Sequence, residues 1–234
     1  MFQNRFLFLL PVLLTGALVL GGCTKHDDKD NQQIALGRED AEYLVVIAVD
    51  MSGSFADLMT RDGKGYEFTM RVADRYFRNS IGSNNRLIIA QLSATDRALL
   101  WDGTPVQLRE DFPSANEFRQ FLLKKSHPAG SRIYDGIADA FDYVLSDPSV
   151  VSGKTRTAVF VLSDFDDNFP NPEKSEKRVA DSLKAFAKTN GVVGFYFLEH
   201  PRVPTWRRHL QQSGIKNWVC ESEIVAYPPL PTFE

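Results

Sequence analysis

The chain has 234 residues, with 27 lysines and arginines against 30 acidic residues and a formal net charge of −3. No block of basic residues occurs, so the composition argues against a nucleic-acid partner. Only two cysteines are present, and the first of them lies close to the start of the chain.

The first residues have the pattern of an export signal. A single positive charge at Arg5 precedes the apolar stretch 7–20, which is shorter than the roughly 20 apolar residues that a membrane-spanning helix needs. The stretch ends in Leu-Gly-Gly-Cys at 20–23, which resembles the lipobox of bacterial lipoprotein precursors. That resemblance implies that residues 1–22 are a lipoprotein signal peptide and that Cys23 is acylated. The alternative is an ordinary signal peptide or an uncleaved anchor with an incidental cysteine.

Residues 23–40 are polar and charged, which indicates a flexible tether that starts at the lipidated Cys23. Acyl chains attach a protein to a membrane without spanning it. Thr24 follows the cysteine, and the lack of an Asp there resembles lipoproteins of the outer membrane more than those of the inner membrane. We therefore expect a location in the cell envelope of a bacterium, on the periplasmic face of the outer membrane. Cleavage would make the net charge −4, because Arg5 is the only charged residue removed.

Residues 41–226 alternate apolar runs of strand length with amphipathic segments of helical period, and they suffice for one well-buried domain. The sequence predicts strands at 43–49, 86–93, 157–163, 192–198 and 218–225, and a short ribbon from 98–101 and 105–108. It predicts helices at 66–79, 115–125, 133–145, 172–188 and 203–212. This alternation indicates an α/β fold, doubly wound, with a mostly parallel central sheet flanked by helices.

The end of the chain contains two further features. Cys220 lies in an apolar, strand-like context, so we interpret it as a small buried hydrophobic residue; a Cys–His catalytic pair is the less favoured alternative. Residues 227–234 form a proline-rich tail that cannot continue a central strand. A plain extended C-terminus is expected for the tail, and a polyproline ligand is the alternative.

The first predicted strand is followed at once by oxygen-bearing side chains. Asp50, Ser52 and Ser54 occupy alternate positions after residue 49, and alternate positions of an extended segment point the same way. Three oxygen ligands at the carboxyl end of a strand suit a hard divalent cation such as Mg²⁺. The same composition is also typical of a helix N-cap and turn.

Two later segments favour the metal interpretation. Ser131 follows a Pro/Gly loop at the start of a predicted helix, and Asp164 follows a second buried strand. The set resembles the metal-ion-dependent adhesion site of von Willebrand factor A domains, in which Asp-x-Ser-x-Ser follows the first strand, a Thr lies in a loop and an Asp follows the fourth strand. The resemblance covers residues 41–226 and implies a von Willebrand factor A-like, Rossmann-type fold.

The resemblance also implies a role for each residue. Ser52, Ser54 and Ser131 would bind the metal directly, with Asp50 and Asp164 acting largely through water. Mg²⁺ is the expected cofactor, with Mn²⁺ or Ca²⁺ as substitutes. A metal with few direct carboxylates keeps an open position, which would accept an Asp or Glu of a protein partner; no small-molecule substrate is expected.

The sequence departs from the family pattern in four places, one of which is Ser163, which precedes Asp164 where the family commonly has Thr. Ser131 replaces the usual Thr and keeps the hydroxyl. Phe165 replaces a common Gly, which suggests a reshaped rim because Gly allows positive φ. Residues 56–65 are expected to form an extra loop before the first long helix. The carboxylates of Asp57, Asp166 and Asp167 are candidates for tuning the rim of the site, although most exposed carboxylates are solvated surface.

Three function classes are compatible with these patterns. The leading hypothesis is a lipid-anchored protein-binding module that works through the metal and is not an enzyme. The second is a lipoprotein that serves as a metal-independent scaffold. The third is a metal-dependent hydrolase, for which His127 is the only histidine that the sequence places near the metal; no nucleophile elbow or phosphate loop supports it.

Overall fold

The computed structural model describes residues 41–60, 63–78, 85–92, 98–125, 132–167 and 172–233. The predicted signal peptide, the tether with Cys23 and the residues Ser131 and His127 lie outside these ranges.

The described residues form six strands and eight α-helices. The strands are Tyr43–Val49 (β1), Arg86–Gln91 (β2), Leu99–Gly103 (β3), Arg156–Leu162 (β4), Val192–Leu198 (β5) and Trp218–Ser222 (β6). The helices are Gly53–Thr60 (α1), Lys64–Phe77 (α2), Pro105–Asp111 (α3), Ala115–Lys125 (α4), Ile133–Ser146 (α5), Pro148–Val151 (α6), Pro172–Phe186 (α7) and Val203–Ser213 (α8). Two short 3₁₀ turns occupy Ala187–Thr189 and His200–Arg202.

The strands make one sheet in the order β3-β2-β1-β4-β5-β6. All neighbouring pairs are parallel except β2 and β3, which are antiparallel. In β1 the central Val46 pairs with Ile88 on one side and with Val159 on the other. The doubly wound, mostly parallel sheet predicted from the sequence is therefore confirmed.

Helices cover both faces of the sheet. Because successive side chains of a strand point to opposite faces, β1 contributes Val46 to one apolar cluster and Ile47 to the other. The first cluster packs against α5, α7 and α8, and the second packs against α1 to α4. Strands buried on both faces explain the continuous apolar runs in the sequence. No helix in the described ranges has the length and apolarity that crossing a membrane requires.

Two local predictions were wrong. Residues 105–108 form the start of α3 and not a ribbon, because Thr104 and Gln107 make a reciprocal capping box and Pro105 takes the first helical position. Residues 56–60 of the expected loop 56–65 belong to α1. The chain after Asp50 therefore enters a short helix before the longer α2.

Candidate metal site

The carboxyl ends of β1 and β4 lie side by side at the centre of the sheet. The chain adds β2 and β3 on one side of β1, and then β5 and β6 on the far side of β4, so the direction of winding changes between β1 and β4. Open α/β sheets bind ligands at such a switch point. The backbone N–H of Asp50 donates to the carbonyl of Leu162 at 2.8 Å, which places Asp50 and Asp164 at neighbouring strand ends.

Three hydrogen bonds hold the Asp50 carboxylate, which is fully buried. Oδ1 accepts from the backbone N–H of Ser52 at 2.9 Å and from its hydroxyl at 2.5 Å. Oδ2 accepts from the hydroxyl of Ser163 at 2.9 Å. Both carboxylate oxygens are therefore fixed, one by the loop after β1 and the other by the residue after β4.

A negative charge on the buried carboxylate of Asp50 is unfavourable without a counter-charge. Burial raises the pKa of Asp50 above its ordinary value, and the nearby carboxylate of Asp164 adds to the rise, whereas the hydrogen bonds from Ser52 and Ser163 act in the opposite sense. A cation beside the carboxylate of Asp50 would offset both the burial and the repulsion by Asp164 that disfavour its ionised form. The electrostatics therefore fit a bound divalent metal.

The hydroxyl geometry fits the same ion. A hydroxyl binds a cation through a lone pair and directs its proton to another acceptor. The hydroxyl of Ser52 donates its proton to Asp50, so its oxygen keeps lone-pair capacity for a metal. With few direct carboxylates, the metal would supply an electrophilic centre that keeps water or accepts an outside oxygen.

The loop after β4 is fixed by its own acidic side chains. Asp164 is half-buried, and its Oδ1 accepts from the backbone N–H of Asp166 at 3.0 Å. Asp166 makes an ion pair with Arg202. Asp167 accepts from the backbone N–H of Tyr134 at 3.0 Å, in the first turn of α5, where a carboxylate complements the helix dipole. In the structure Asp166 and Asp167 thus hold the rim in place, and Asp57 lies exposed on α1.

Phe165 adopts the left-handed backbone conformation that its family position implies, although it is not a glycine. Its φ is +62°, and its backbone N–H donates to the Ser163 hydroxyl at 2.8 Å. The side chain is 2% exposed and packs against Phe195 and Trp206, with ring centroids 5.2 and 4.9 Å away. The ring therefore points into the core, so the expectation of a rim reshaped by Phe165 is not met at the side chain.

The structure brings together the sequence-predicted residues that it describes. Asp50, Ser52 and Asp164 lie at the switch point, and Ser54 is the second residue of α1, with its side chain outside the described part. Ser131 lies outside the described residues. The sequence analysis assigns no role to Ser163, which the structure shows bonded to Asp50. Its position directly after a buried strand and before Asp164 is the sequence feature that could have indicated a role at the site.

The chemistry of the site rests on carboxylates combined with hydroxyls. Among the described residues no three His, Cys, Asp or Glu side chains are placed to hold a metal ion together. Cys220 is confirmed as a small buried residue: it is 2% exposed, and burial raises the pKa of its thiol to about 12. That shift disfavours the thiolate, which is the nucleophilic form.

Comparison with known proteins identifies the fold. No protein-family model and no curated protein match the chain, but solved structures do. The crystal structure of the SpRpn10 VWA domain matches over 82% of this chain and 92% of that one, at 11% identity and a TM-score of 0.51. The fold is von Willebrand factor A-like. The TFIIH p34 N-terminal domain matches over 80% of this chain and 93% of that one, at 10% identity and a TM-score of 0.52.

Proposed function

We propose that the chain is a lipid-anchored protein of the bacterial cell envelope whose von Willebrand factor A-like domain binds a divalent cation and uses it to capture an acidic group on a protein partner. The observation that carries the proposal is the buried carboxylate of Asp50, held by Ser52 and Ser163 beside Asp164. A buried charge of this kind needs compensation, and a metal at the switch point supplies it.

The bridging role follows from the ligand set. Mg²⁺ prefers about six oxygens and keeps several waters. Hydroxyls from Ser52, Ser54 and Ser131 are neutral ligands, so they would leave most of the charge of the metal unneutralised. Asp50 and Asp164 would contact the metal through bound water. A carboxylate of a partner can then replace one water and complete the neutralisation. The von Willebrand factor A-like fold, shared with the SpRpn10 VWA domain and the TFIIH p34 N-terminal domain, supports a protein-interaction role for this domain.

The capture hypothesis is tested by crosslinked co-purification from native membranes. The unaltered chain, a Ser52→Ala variant and an Asp164→Asn variant are each purified with Mg²⁺ and with EDTA. We expect a protein partner to co-purify with the unaltered chain in Mg²⁺ and not in EDTA. Neither variant should retain the partner. Asp74→Asn is the matched control, because Asp74 is an exposed α2 carboxylate that pairs with Arg78. Capture that survives EDTA and both site variants would contradict the bridging role.

The anchor is tested separately. Metabolic labelling with a clickable palmitate analogue should modify the unaltered chain and not a Cys23→Ser variant, and the variant should leave the membrane fraction. Labelling that persists in Cys23→Ser would contradict the lipoprotein assignment while leaving the metal site untouched.

The two other function classes make different predictions in the same assays. A metal-independent scaffold keeps its partner in a variant that combines Asp50→Ala, Ser52→Ala and Asp164→Asn. A hydrolase turns over generic esters or phosphoesters only with added metal, and loses this in Ser52→Ala. We propose a binding protein and expect neither result.

A further inference from the structure

The last residues of the chain cross the α2 face of the domain as an extended strap, defined here as residues 227–233. The strap contains no helix or strand, and its sequence Tyr-Pro-Pro-Leu-Pro-Thr-Phe includes a Pro-x-x-Pro pattern at 228–231. Pro228 and Pro231 are buried whereas Pro229 and Thr232 are exposed. Burial every third residue is the period of a polyproline II helix, which has three residues per turn.

Three side chains of the domain donate hydrogen bonds to consecutive parts of the strap. Nη2 of Arg71 donates to the carbonyl of Pro228 at 2.9 Å, the hydroxyl of Tyr196 to that of Pro229 at 2.7 Å, and the hydroxyl of Tyr76 to that of Pro231 at 2.5 Å. Proline has no N–H, so this part of the strap offers mainly acceptors. The three groove side chains that bond to it are all donors.

The donors are built into the core. Tyr196 is fully buried and Tyr76 is 8% exposed, and burial raises the pKa of both phenols, so both remain protonated donors. Gly194 makes room for the Tyr196 ring: a Cβ at Gly194 would lie 2.3 Å from Cε2 and 2.8 Å from the hydroxyl oxygen. Gly194 therefore leaves the space that the Tyr196 ring needs to donate its hydrogen bond to the carbonyl of Pro229.

Aromatic packing secures the end of the strap. The ring of Phe233 lies between Tyr43 and Tyr76, at centroid distances of 5.4 and 5.5 Å. Leu230 and Phe233 pack against the apolar cluster of this face. Aromatic side chains with a hydroxyl at one end are what polyproline II grooves use, because they offer both apolar surface and a donor.

The segment that joins the strap to the domain is short and exposed. The backbone N–H of Glu223 bonds to the end of β5, at the carbonyl of Leu198, at 3.0 Å. Beyond it, Ile224 is 72% exposed and Tyr227 is 83% exposed. A few residues between Glu223 and Pro228 can therefore turn without loss of core contacts, and the contacts of the strap are identical whether it folds back on its own domain or on another.

We propose that the groove formed by Arg71, Tyr76 and Tyr196 is a polyproline II binding site, filled by the chain's own strap and able to accept the strap of a second copy of this chain. Exchange of an identical segment is a low-cost route to a symmetric dimer. The attached strap competes at an effective concentration of millimolar order, so exchange requires crowding of the chains or a weakened strap. This proposal is independent of the metal and of the lipid anchor.

Two complementary variants of the full chain test the proposal. The strap variant carries Pro231→Gly and Phe233→Ala, which keep the carbonyls but remove apolar contacts and the preference for the extended conformation. The groove variant carries Tyr76→Phe and Tyr196→Phe, which keep the rings and remove two donors. A fluorescent synthetic peptide of residues 226–234 is titrated into each, with folding checked by circular dichroism.

We expect the peptide to bind the strap variant. Combining the strap changes with the two Tyr→Phe changes should weaken that binding roughly 30-fold, because two neutral hydrogen bonds are lost. Gly194→Ala in the strap variant should also weaken it, by moving the Tyr196 hydroxyl. A peptide with alanine at 228, 229 and 231 is the matched control and should not bind. If the strap variant unfolds, Pro231→Gly alone takes its place in the same titration.

Mixing the variants then tests exchange between copies. Sedimentation velocity should show a heterodimer of the strap variant with the groove variant, since only that pair combines an intact groove with an intact strap, and neither alone should dimerise. The proposal is overturned if the peptide shows no binding at about 1 mM, the range set by the effective concentration of the attached strap. It is also overturned if an unrelated Pro-x-x-Pro peptide binds equally well, which would assign the groove to other proteins.

Discussion

The hydroxyl of Ser163 donates a hydrogen bond to Oδ2 of Asp50 at 2.9 Å and so joins the ends of β4 and β1. The same hydroxyl accepts from the backbone N–H of Phe165 at 2.8 Å. The buried carboxylate is therefore oriented by the loop that carries Asp164. A metal bound between the two strand ends would depend on this link even though Ser163 need not touch it.

Divalent metal should raise the melting temperature of the unaltered domain. Binding to the native state at 100 times the dissociation constant adds about 2.7 kcal/mol, a shift of about 5–10 °C for a domain of this size. Asp50→Asn should abolish the shift measured by differential scanning fluorimetry in Mg²⁺ or Mn²⁺ against EDTA, and Asp74→Asn should retain it. Without metal, Asp50→Asn should be no less stable at neutral pH, because it removes a buried charge. An equal shift of the melting temperature in the unaltered chain and in both variants would contradict a metal site at Asp50.

Ser163→Ala should weaken metal binding without abolishing it. Loss of a group that orients a ligand costs about 10–100-fold in metal affinity. Isothermal titration with Mn²⁺ gives the dissociation constant directly, with Ser146→Ala as a control because Ser146 is exposed and its hydroxyl bonds within its own helix, to the carbonyl of Tyr143. An unchanged affinity in Ser163→Ala would show that Asp50 is oriented without it.

Two phenylalanines with positive φ should respond differently to glycine. Phe165 and Phe197 have φ of +62° and +67°, so glycine relieves strain of about 1–2 kcal/mol at each. Phe165 is buried against Trp206, and loss of a buried Phe costs about 3–5 kcal/mol. Phe197 is only half-buried. Urea unfolding should therefore show Phe165→Gly destabilised by about 2–3 kcal/mol and Phe197→Gly by less than about 1 kcal/mol; equal losses would mean that strain, not packing, dominates.

Most strands and helices were predictable from the local sequence pattern, whereas the geometry of the site and the position of the strap depend on contacts between distant residues. The apolar runs at 43–49 and 192–198 coincide with β1 and β5, because strands buried on both faces allow few polar residues. The ribbon expected at 105–108 was wrong although Thr104, Pro105 and Gln107 provide a local signal for a helix start.

The site was predictable as a set of residues but not as a geometry. The usual Gly at position 165 implied a positive φ there, but the packing of Phe165 against Phe195 and Trp206, which compensates the strain, could not be inferred. The position of the strap could not be predicted either, because the bonded residues Arg71 and Pro228 are separated by 157 residues in the sequence. Such long-range pairs have no local signal in a single sequence.

Removal of Arg86 should cost more stability than removal of an exposed arginine. Its side chain is 7% exposed and bonds to Asp147 at 2.7 Å and to Asp102 at 2.5 and 3.2 Å. Arg86→Met leaves the buried carboxylate of Asp147 without its cation, for which a loss of about 3–5 kcal/mol is expected. Arg78→Met is the matched control: its pair with Asp74 is exposed and should cost less than about 1 kcal/mol. Equal unfolding free energies in the two variants would contradict a structural role for the Arg86 network.

His209 should make the domain less stable as the pH falls below about 6.5. Burial lowers the pKa of this imidazole, and Arg208 acts in the same sense, whereas Glu176, 3.2 Å away, acts against them. The unfolded chain therefore takes up a proton at a higher pH than the folded one, so the contribution of His209 is fully present above the unfolded pKa and is lost as the pH falls towards the folded pKa.

The contribution of His209 is isolated by comparing variants at two pH values. Urea unfolding at pH 7.5 and 5.5 should show a smaller loss for His209→Gln than for the unaltered chain, because glutamine keeps a polar group and does not titrate. His200→Gln serves as the control, since His200 is exposed, and it should follow the unaltered chain. Carboxylates that do not contact His209 contribute equally to all three chains and cancel in the comparison. If His209→Gln loses as much stability as the unaltered chain between these pH values, the imidazole is not the group that responds.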